Sequence, residues 1–235
     1  MDRRAWFFKN VVANVVILAV LIMTVTYLYR DDSKAVSLPA PVSKGNAEDT
    51  VALMVSANGG TEALAEMLTV LKEKKCAATF FVCGVWASEH NELLREISGA
   101  GFEIGSRGYF EKDYKKLSKA RIVEEIELTH RLIKSVTGTD PRLFLPPFGS
   151  YSFSTVEGAR EAGYTAVLWS RDTLPESARE FPYLSDIVNR AVRDISGGEL
   201  ILLHPTRETA AALPKMMEQI TAKGLRFATV SEVIL

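Results

Sequence analysis

The chain has few cysteines and histidines and no excess of basic over acidic residues. Its 235 residues include only two cysteines and three histidines, and the formal net charge is −1. This balanced charge lacks the basic excess that neutralises phosphates, so nucleic acid is excluded as an expected partner. Cys76 and Cys83 lie seven residues apart on or beside one predicted strand. That separation is beyond disulfide reach, and we predict two packed thiols.

One long uncharged run lies near the N-terminus. Residues 11–29, VVANVVILAVLIMTVTYLY, contain no charged side chain and, as a helix, span roughly 28 Å, about one bilayer core. Arg3, Arg4 and Lys9 precede the run, which favours a cytoplasmic N-terminus and an extracytoplasmic remainder. A cleaved signal peptide is the alternative, although its apolar region is usually shorter. We expect residues 1–30 to form a cytoplasmic stub and a single-pass anchor in the cell membrane.

The composition changes twice after this run. Residues 31–50 are rich in Ser, Pro, Asp and Lys and have no apolar period, which predicts a linker. From residue 51 to residue 235, short apolar runs alternate with helical patterns, which is typical of a parallel α/β sheet or barrel. The predicted strands are 51–56, 78–84, 102–106, 143–147, 165–170, 199–204 and 226–230. The predicted helices are 61–74, 89–98, 118–136, 154–162, 184–195 and 208–223.

Six blocks of this domain resemble, in order, the motifs of a known enzyme family. They are ATFFVCG, GFEIGSRGY, LFLPPFGSYS, AGYTAVLWSRDT, GGELILLHPT and KGLRFATVSEVI. They resemble the NodB-homology polysaccharide deacetylases of carbohydrate esterase family four (CE4), most closely the membrane-anchored sporulation-type members. The resemblance implies a distorted seven-stranded (β/α) barrel that removes acetyl groups from N-acetylated sugars of wall glycans. It also implies a divalent metal held by one Asp and two His, an Asp base and a His acid.

This chain departs from the family at the metal and base positions. In MVSANGG, Ser56 stands where the base is expected, and Ala57 or Asn58 stands where the aspartate ligand is expected. In RGYFE, Arg107 and Glu111 stand where the two histidines are expected. A guanidinium remains protonated and has no lone pair to donate, so Arg107 cannot ligate a metal.

Further along the chain, the replacement at Leu145 compensates the one at Ser56, and two residues of the family site, Asp172 and His204, are retained. Leu145 replaces the arginine that pairs with the base in the family. Losing one member of a buried ion pair typically costs about 3 to 5 kcal/mol, whereas replacing both can be neutral. Asp172 and His204 remain where the resemblance places the acid and its orienting partner, and a purely structural hydrogen bond is the alternative. The substrate cleft is expected to include Pro146, Pro147, Phe148, Gly149, Trp169 and Leu203.

Three functional hypotheses follow from these positions. The first is a wall-glycan or spore-wall-glycan protein that has lost hydrolysis and needs no cofactor, with Arg107 paired to Glu111 or Asp172 in place of the metal. The second is an active N-deacetylase of peptidoglycan or N-acetylglucosamine polymers. Its rearranged site holds zinc or another divalent metal through carboxylates such as Glu111, Asp113 and Asp172, together with His204.

The third hypothesis is a serine hydrolase. Ser56, His204 and Asp172 are the residue types of a nucleophile, its base and an orienting acid. The strained G-x-S-x-G elbow is missing around the serine, which weighs against this reading. The sequence indicates no protein partner.

Overall fold

The fold comes from a computed structural model that describes residues 3–28, 39–175 and 183–235, with side chains of the first helix described for residues 11–24. The chain divides into two compact units, Met1–Leu38 and Pro39–Leu235. The first contains helix α1 (Arg3–Leu28). Across the residues described, no helix combines the length and the hydropathy of a membrane span. The predicted anchor is therefore not confirmed, and predicted linker residues 31–38 fall outside the described ranges.

The second unit is built on one parallel sheet. Seven of its strands form a path in the order β5-β4-β3-β2-β1-β7-β6, and β8 pairs with the start of β1. This path is an open half-barrel. Each of the seven predicted strand regions contains a strand of the sheet, but β8 lies off the path and β6 follows the fifth predicted region instead of lying within it. The strands are β1 (Thr50–Ala57), β2 (Thr79–Val82), β3 (Glu103–Ser106), β4 (Leu143–Phe144), β5 (Thr165–Ala166), β6 (Arg171–Asp172), β7 (Leu200–Leu203) and β8 (Arg226–Ala228).

Helices connect most of the strands and cover the outside of the sheet. The six predicted helical regions are all found, the second of them as α4, and an unpredicted short helix, α3, precedes it. The short last helix, α9, was not predicted. The helices of this unit are α2 (Thr61–Glu73), α3 (Gly84–Glu89), α4 (Asn91–Gly99), α5 (Lys119–Thr137), α6 (Phe153–Glu161), α7 (Leu184–Val192), α8 (Arg207–Ala222) and α9 (Val230–Ile234).

Strand β1 separates two apolar clusters. Leu53 and Val55 point to the helix layer, where they pack with residues of α2, α4, α7 and α8. Ala52 and Met54 point to the inside of the half-barrel. A strand buried on both faces explains why the sequence shows a continuous apolar run rather than an alternation. The two cysteines are free and buried, as predicted.

The linker prediction is wrong for residues 39–49, which we call the N-terminal strap. The backbone of Val42 pairs with Val167, and Lys44 pairs with Glu199. The Gly45 N–H donates to the carbonyl of Gly198 at 2.8 Å. These contacts satisfy backbone groups beside β5 and β7 that would otherwise lack partners. The folded unit therefore begins at Pro39, and the sequence missed this because pairing through backbone atoms requires no apolar period.

Candidate functional site at the mouth of the half-barrel

We call the edge of the sheet formed by the C-terminal ends of its strands the mouth of the half-barrel. Arg107 and Glu111 form an ion pair there, in the loop that follows β3. The Arg107 backbone N–H donates to the Val82 carbonyl at 2.9 Å, which extends the β2–β3 ladder by one residue. The guanidinium donates from Nε to Glu111 Oε1 at 2.9 Å and from Nη2 to Oε2 at 3.0 Å. The Arg107 side chain is 5% exposed and that of Glu111 is 24% exposed. This bidentate geometry makes the pair strong and directional.

A second carboxylate, Glu125 on α5, holds the same loop from inside the protein. Its side chain is fully buried and accepts a hydrogen bond from the Phe110 backbone N–H at 2.9 Å. The same carboxylate pairs with Arg121 at 2.7 Å and with Lys112 at 3.4 Å. Two cations and a backbone donor compensate the cost of burying this charge. Sequence reasoning missed Glu125 because a glutamate on an amphipathic helix is usually solvated.

Close packing at Gly108 further restricts the loop. Gly108 has φ of +81°, and a Cβ at this position would lie 1.6 Å from the hydroxyl oxygen of Tyr114. Only glycine meets both conditions. Tyr114 is fully buried, and its burial raises the pKa of the phenol. The Gly108 N–H also donates to the Ser106 hydroxyl at 3.0 Å, so the loop that carries Arg107 is held in one conformation.

Ser56 lies at the end of β1 and bonds to a neighbour rather than to a catalytic partner. Its side chain is 1% exposed and donates to Asn58 Oδ1 at 3.0 Å. Ala57 belongs to the cluster that faces the helices, which leaves the exposed Asn58 as the candidate ligand position at the mouth. The described contacts of Ser56 do not include His204, so the arrangement expected of a serine hydrolase is not assembled.

Leu145, at the position of the family arginine, is fully buried among apolar side chains inside the half-barrel. The cluster to which it belongs also contains Met54 and Leu202. Together with Ser56, it leaves no unpaired buried charge where the family places a base and its arginine partner. The joint replacement is therefore compatible with a stable fold.

Asp172 and His204 form the other polar pair of the mouth. His204 Nε2 and Asp172 Oδ1 are 2.8 Å apart, at the adjacent C-terminal ends of β6 and β7. Asp172 Oδ1 also accepts from the Leu174 N–H at 3.0 Å. The two side chains are 18% and 19% exposed, so water or a ligand can reach them. Of the two pairings that we considered for Arg107, the structure contains the one with Glu111.

The residues predicted to line the cleft divide into two groups. Gly149 has φ of +65°, and a Cβ there would lie 2.8 Å from the Trp169 ring, so this ring packs directly on the turn. Pro146 and Pro147 are buried beside that turn. The prediction that Leu203 lines the cleft is wrong, because its side chain is fully buried in the cluster that faces the helices. Alternate residues of a strand point to opposite faces of the sheet. Leu202 points to the inside of the half-barrel, so Leu203 points to the helices.

Exposed aromatic side chains lie in the segments that follow β3 and β4, the last of them at the start of α6. The loops after β3 and β4 are joined by a hydrogen bond from the Ser150 hydroxyl to the Asp113 carboxylate. Phe148 has φ of +60°, which is uncommon for a bulky residue and often marks a functional position. Such exposed apolar groups indicate an interaction surface. This aromatic rim consists of Phe110 (39% exposed), Phe148 (66%), Tyr151 (38%) and Phe153 (53%).

The residues present do not fit a divalent metal. No group of three or more His, Cys, Asp or Glu side chains converges on one point in the described part of the chain. Both carboxylate oxygens of Glu111 bond to the guanidinium of Arg107, and the positive charge of this group would repel a metal cation. Asp113 accepts from Ser150, and this hydrogen bond, with help from Lys116, lowers the pKa of its carboxyl. The four donors proposed for a rearranged metal site therefore remain in separate pairs.

Comparison with known proteins places these observations in one family. The family described as polysaccharide deacetylase matches residues 43–167. The chain is 34% identical over 197 residues to the uncharacterized protein YlxY of Bacillus subtilis, covering 83% of this chain and 61% of that protein. It is 31% identical over 173 residues to a peptidoglycan-N-acetylglucosamine deacetylase of Bacillus cereus, covering 72% of this chain and 80% of the relative.

Solved structures include a similar protein described as a pseudoenzyme. The wild-type CE4 family pseudoenzyme of Bacillus anthracis has a TM-score of 0.79 and 29% identity, covering 84% of this chain and 69% of that chain. A mutant of the same pseudoenzyme, described as having restored enzymatic activity, also has a TM-score of 0.79 and 29% identity, covering 84% and 72%.

Proposed function

The chain belongs to the polysaccharide deacetylase family, and from this premise we propose that it binds wall glycan without hydrolysing it. The observation that carries the proposal is the ion pair of Arg107 and Glu111, which occupies the two positions where the family motif has metal-binding histidines. Both oxygens of the carboxylate bond to the guanidinium. A fixed positive charge therefore stands where the family chemistry uses a metal ion.

Hydrolysis in this family requires a metal-activated water and a carboxylate base. Neither function has a matching group at the expected positions, because Ser56 is a buried hydroxyl and Arg107 cannot ligate. Asp172 and His204 retain the geometry of an oriented imidazole. Without a base and a metal, this pair is suited to bind a sugar hydroxyl or amide by hydrogen bonding.

The aromatic rim supports glycan as the bound class. Four exposed aromatic side chains lie on the β3 and β4 side of the mouth, and exposed apolar groups of this kind are typical of ligand-binding surfaces. The relatives whose printed names state a substrate are peptidoglycan deacetylases. We therefore propose cell-wall or spore-wall peptidoglycan, with N-acetylated sugars as the recognised units.

The uncharged run of residues 11–29 supports a location at the cell membrane for the proposed glycan binding. We propose that it anchors the chain in the cell membrane with the N-terminus in the cytoplasm and the folded unit outside, where wall glycan is present. Alkaline carbonate extraction of membranes tests the anchor, because an integral chain stays in the pellet. Recovery of the full chain in the supernatant would contradict it.

Two assays on the full chain test the proposed function. Acetate release from peptidoglycan and from an N-acetylglucosamine oligomer is expected to equal that of a His204→Ala variant. Release by the wild type alone, together with one equivalent of zinc that survives dialysis, would instead support the active deacetylase with a rearranged site.

Sedimentation with insoluble peptidoglycan measures binding directly. Truncating both Phe148 and Phe153 to alanine is expected to weaken binding about tenfold or more, as loss of aromatic anchors does. Phe227→Ala is the matched control, because this partly exposed phenylalanine lies in β8 at the opposite end of the strands. Equal binding by the rim variant and the control would contradict the proposal.

A further inference from the structure

A groove of about 620 Å³ lies at the end of the sheet opposite to the mouth. It is bounded by the segment between α2 and β2, by the second half of α8 and by the start of β8. Its size falls within the range of small-molecule sites. The apolar part of its wall is formed by Cys76, Ala77, Pro214, Met217, Leu225 and Phe227.

Two lysines at the edge of the groove have no carboxylate partner among the described residues. Lys74 and Lys75 are exposed, and neither takes part in an ion pair with any described residue. The other charged groups of the wall are already paired, Arg226 with Asp49 at 2.6 Å and Glu218 with Lys215 at 3.3 Å. The groove thus combines an apolar wall with a local excess of positive charge, which is complementary to a molecule with an anionic head and an apolar tail.

Lys75 has a left-handed backbone conformation that favours glycine. Helices α5, α6 and α8 are each followed by a glycine in the left-handed region, namely Gly138, Gly163 and Gly224, with φ between 75° and 82°. Helices α2 and α7 end in the same way, but their left-handed residues are Lys75 and Asp194, each with φ of +51°. Glycine is the favoured residue at this position and lysine is strained there. Strain that persists at a site is one mark of a functional position.

We propose that this groove binds a single-chain anionic amphiphile such as a fatty acid. The carboxylate lies between the ammonium groups of Lys74 and Lys75, and the alkyl chain follows the apolar wall formed by Met217 and Leu225. A single chain suits a groove of this volume better than a two-chain lipid does. The site is separate from the mouth and does not depend on the function proposed there.

A photoreactive palmitate tests the proposal on the full chain in the presence of phosphatidylcholine vesicles. Irradiation is expected to label peptides from residues 74–77 and 214–227. Excess palmitate is expected to abolish the labelling, whereas hexadecanol, which has the same chain without the charge, is not. Labelling spread over the whole chain, or equal competition by both compounds, would overturn the proposal. Competition by phosphatidylglycerol vesicles alone would also overturn it, because that lipid has two chains.

Lys75→Gly separates binding from folding. Glycine relieves the left-handed backbone, so the melting temperature is expected to stay the same or rise, while labelling is expected to fall about fivefold with the loss of one cation. Lys72→Ala is the matched control, since it removes a cation from the last turn of the same helix outside the groove. If Lys75→Gly is labelled as strongly as the wild type, the lysine is not part of a site.

Discussion

Glu111→Ala tests whether the Arg107–Glu111 pair is an integral part of the folded site. The substitution leaves the guanidinium of Arg107 without its partner at 5% exposure. Breaking a fully buried pair typically costs about 3 to 5 kcal/mol. Glu111 is 24% exposed, so water can enter the vacated space and repay part of that cost. We therefore expect the free energy of unfolding to fall by about 2 to 3 kcal/mol.

Urea unfolding at neutral pH gives the free energy of each variant. Replacing both residues, as Arg107→Met with Glu111→Ala, removes the stranded charge and is expected to be less destabilising than Glu111→Ala alone. The resulting coupling energy between the two residues is expected to be about 2 kcal/mol. The matched control is Glu127→Ala. It breaks the Arg131–Glu127 pair, which has the same i,i+4 spacing but side chains that are 63% and 54% exposed.

The control is expected to change stability by no more than about 0.5 kcal/mol. If Glu111→Ala is as mild as Glu127→Ala, the pair at the mouth is an ordinary surface contact. The substitution of both histidine positions would then have no structural meaning, and the electrostatic reasoning behind the proposed function would be refuted.

Three further predictions concern other parts of the domain. Gly108→Ala places a Cβ 1.6 Å from a buried tyrosine hydroxyl and is expected to cost more than about 3 kcal/mol in urea unfolding. Burial raises the pKa of Glu199, but its hydroxyl and cationic neighbours lower it overall. The stability lost in Glu199→Gln should therefore be largest at neutral pH and should disappear as the pH falls through the lowered pKa of this carboxyl. Arg107→His with Glu111→His and Asn58→Asp should bind one zinc by elemental analysis, whereas Glu111→His alone should bind none.

Each of these predictions has a result that contradicts it. Native-like stability of Gly108→Ala would show that the loop rearranges freely. A stability difference for Glu199→Gln that stays constant from neutral to acid pH would show that the carboxylate is not ionised in its contacts with Lys44 and Arg171. Zinc bound equally by the single and the triple variant would show that the guanidinium does not block the metal position.

The fold was largely predictable because its strands are buried on both faces. Residues such as Leu53 and Met54 face different clusters, yet both are apolar, and the resulting run in the sequence marks β1 clearly. The N-terminal strap was not predictable in this way, because Val42 and Gly45 are held by backbone hydrogen bonds. Helix α3 was missed because it begins at the last residue of the predicted strand 78–84 and its six residues are too few to show a helical period.

The sequence predicted which residues form the site, but it did not predict how deeply the Arg107–Glu111 pair is buried. The spacing of Arg107 and Glu111 indicates that they can meet, but the same spacing on a surface helix gives a solvated pair. Burial depends on Glu125, which holds the loop from a helix that follows it in sequence. Leu203 was misplaced because a resemblance aligns residues along a strand, whereas the side chain direction depends on the local parity of that strand.

The pattern of replacements bears on how the mouth came to its present form. Random loss of a catalytic site leaves buried charges without partners, and each such charge destabilises the fold by several kcal/mol. Here the base position and its arginine partner are both uncharged, as Ser56 and Leu145, while both histidine positions are charged and paired with each other. The polar pair of the family that is retained, Asp172 with His204, is also joined by a hydrogen bond. A mouth in which every charge is compensated is stable without a metal, and selection for stability alone does not require an aromatic rim that remains exposed to solvent. The exposed rim is therefore a feature that supports the proposed binding of wall glycan.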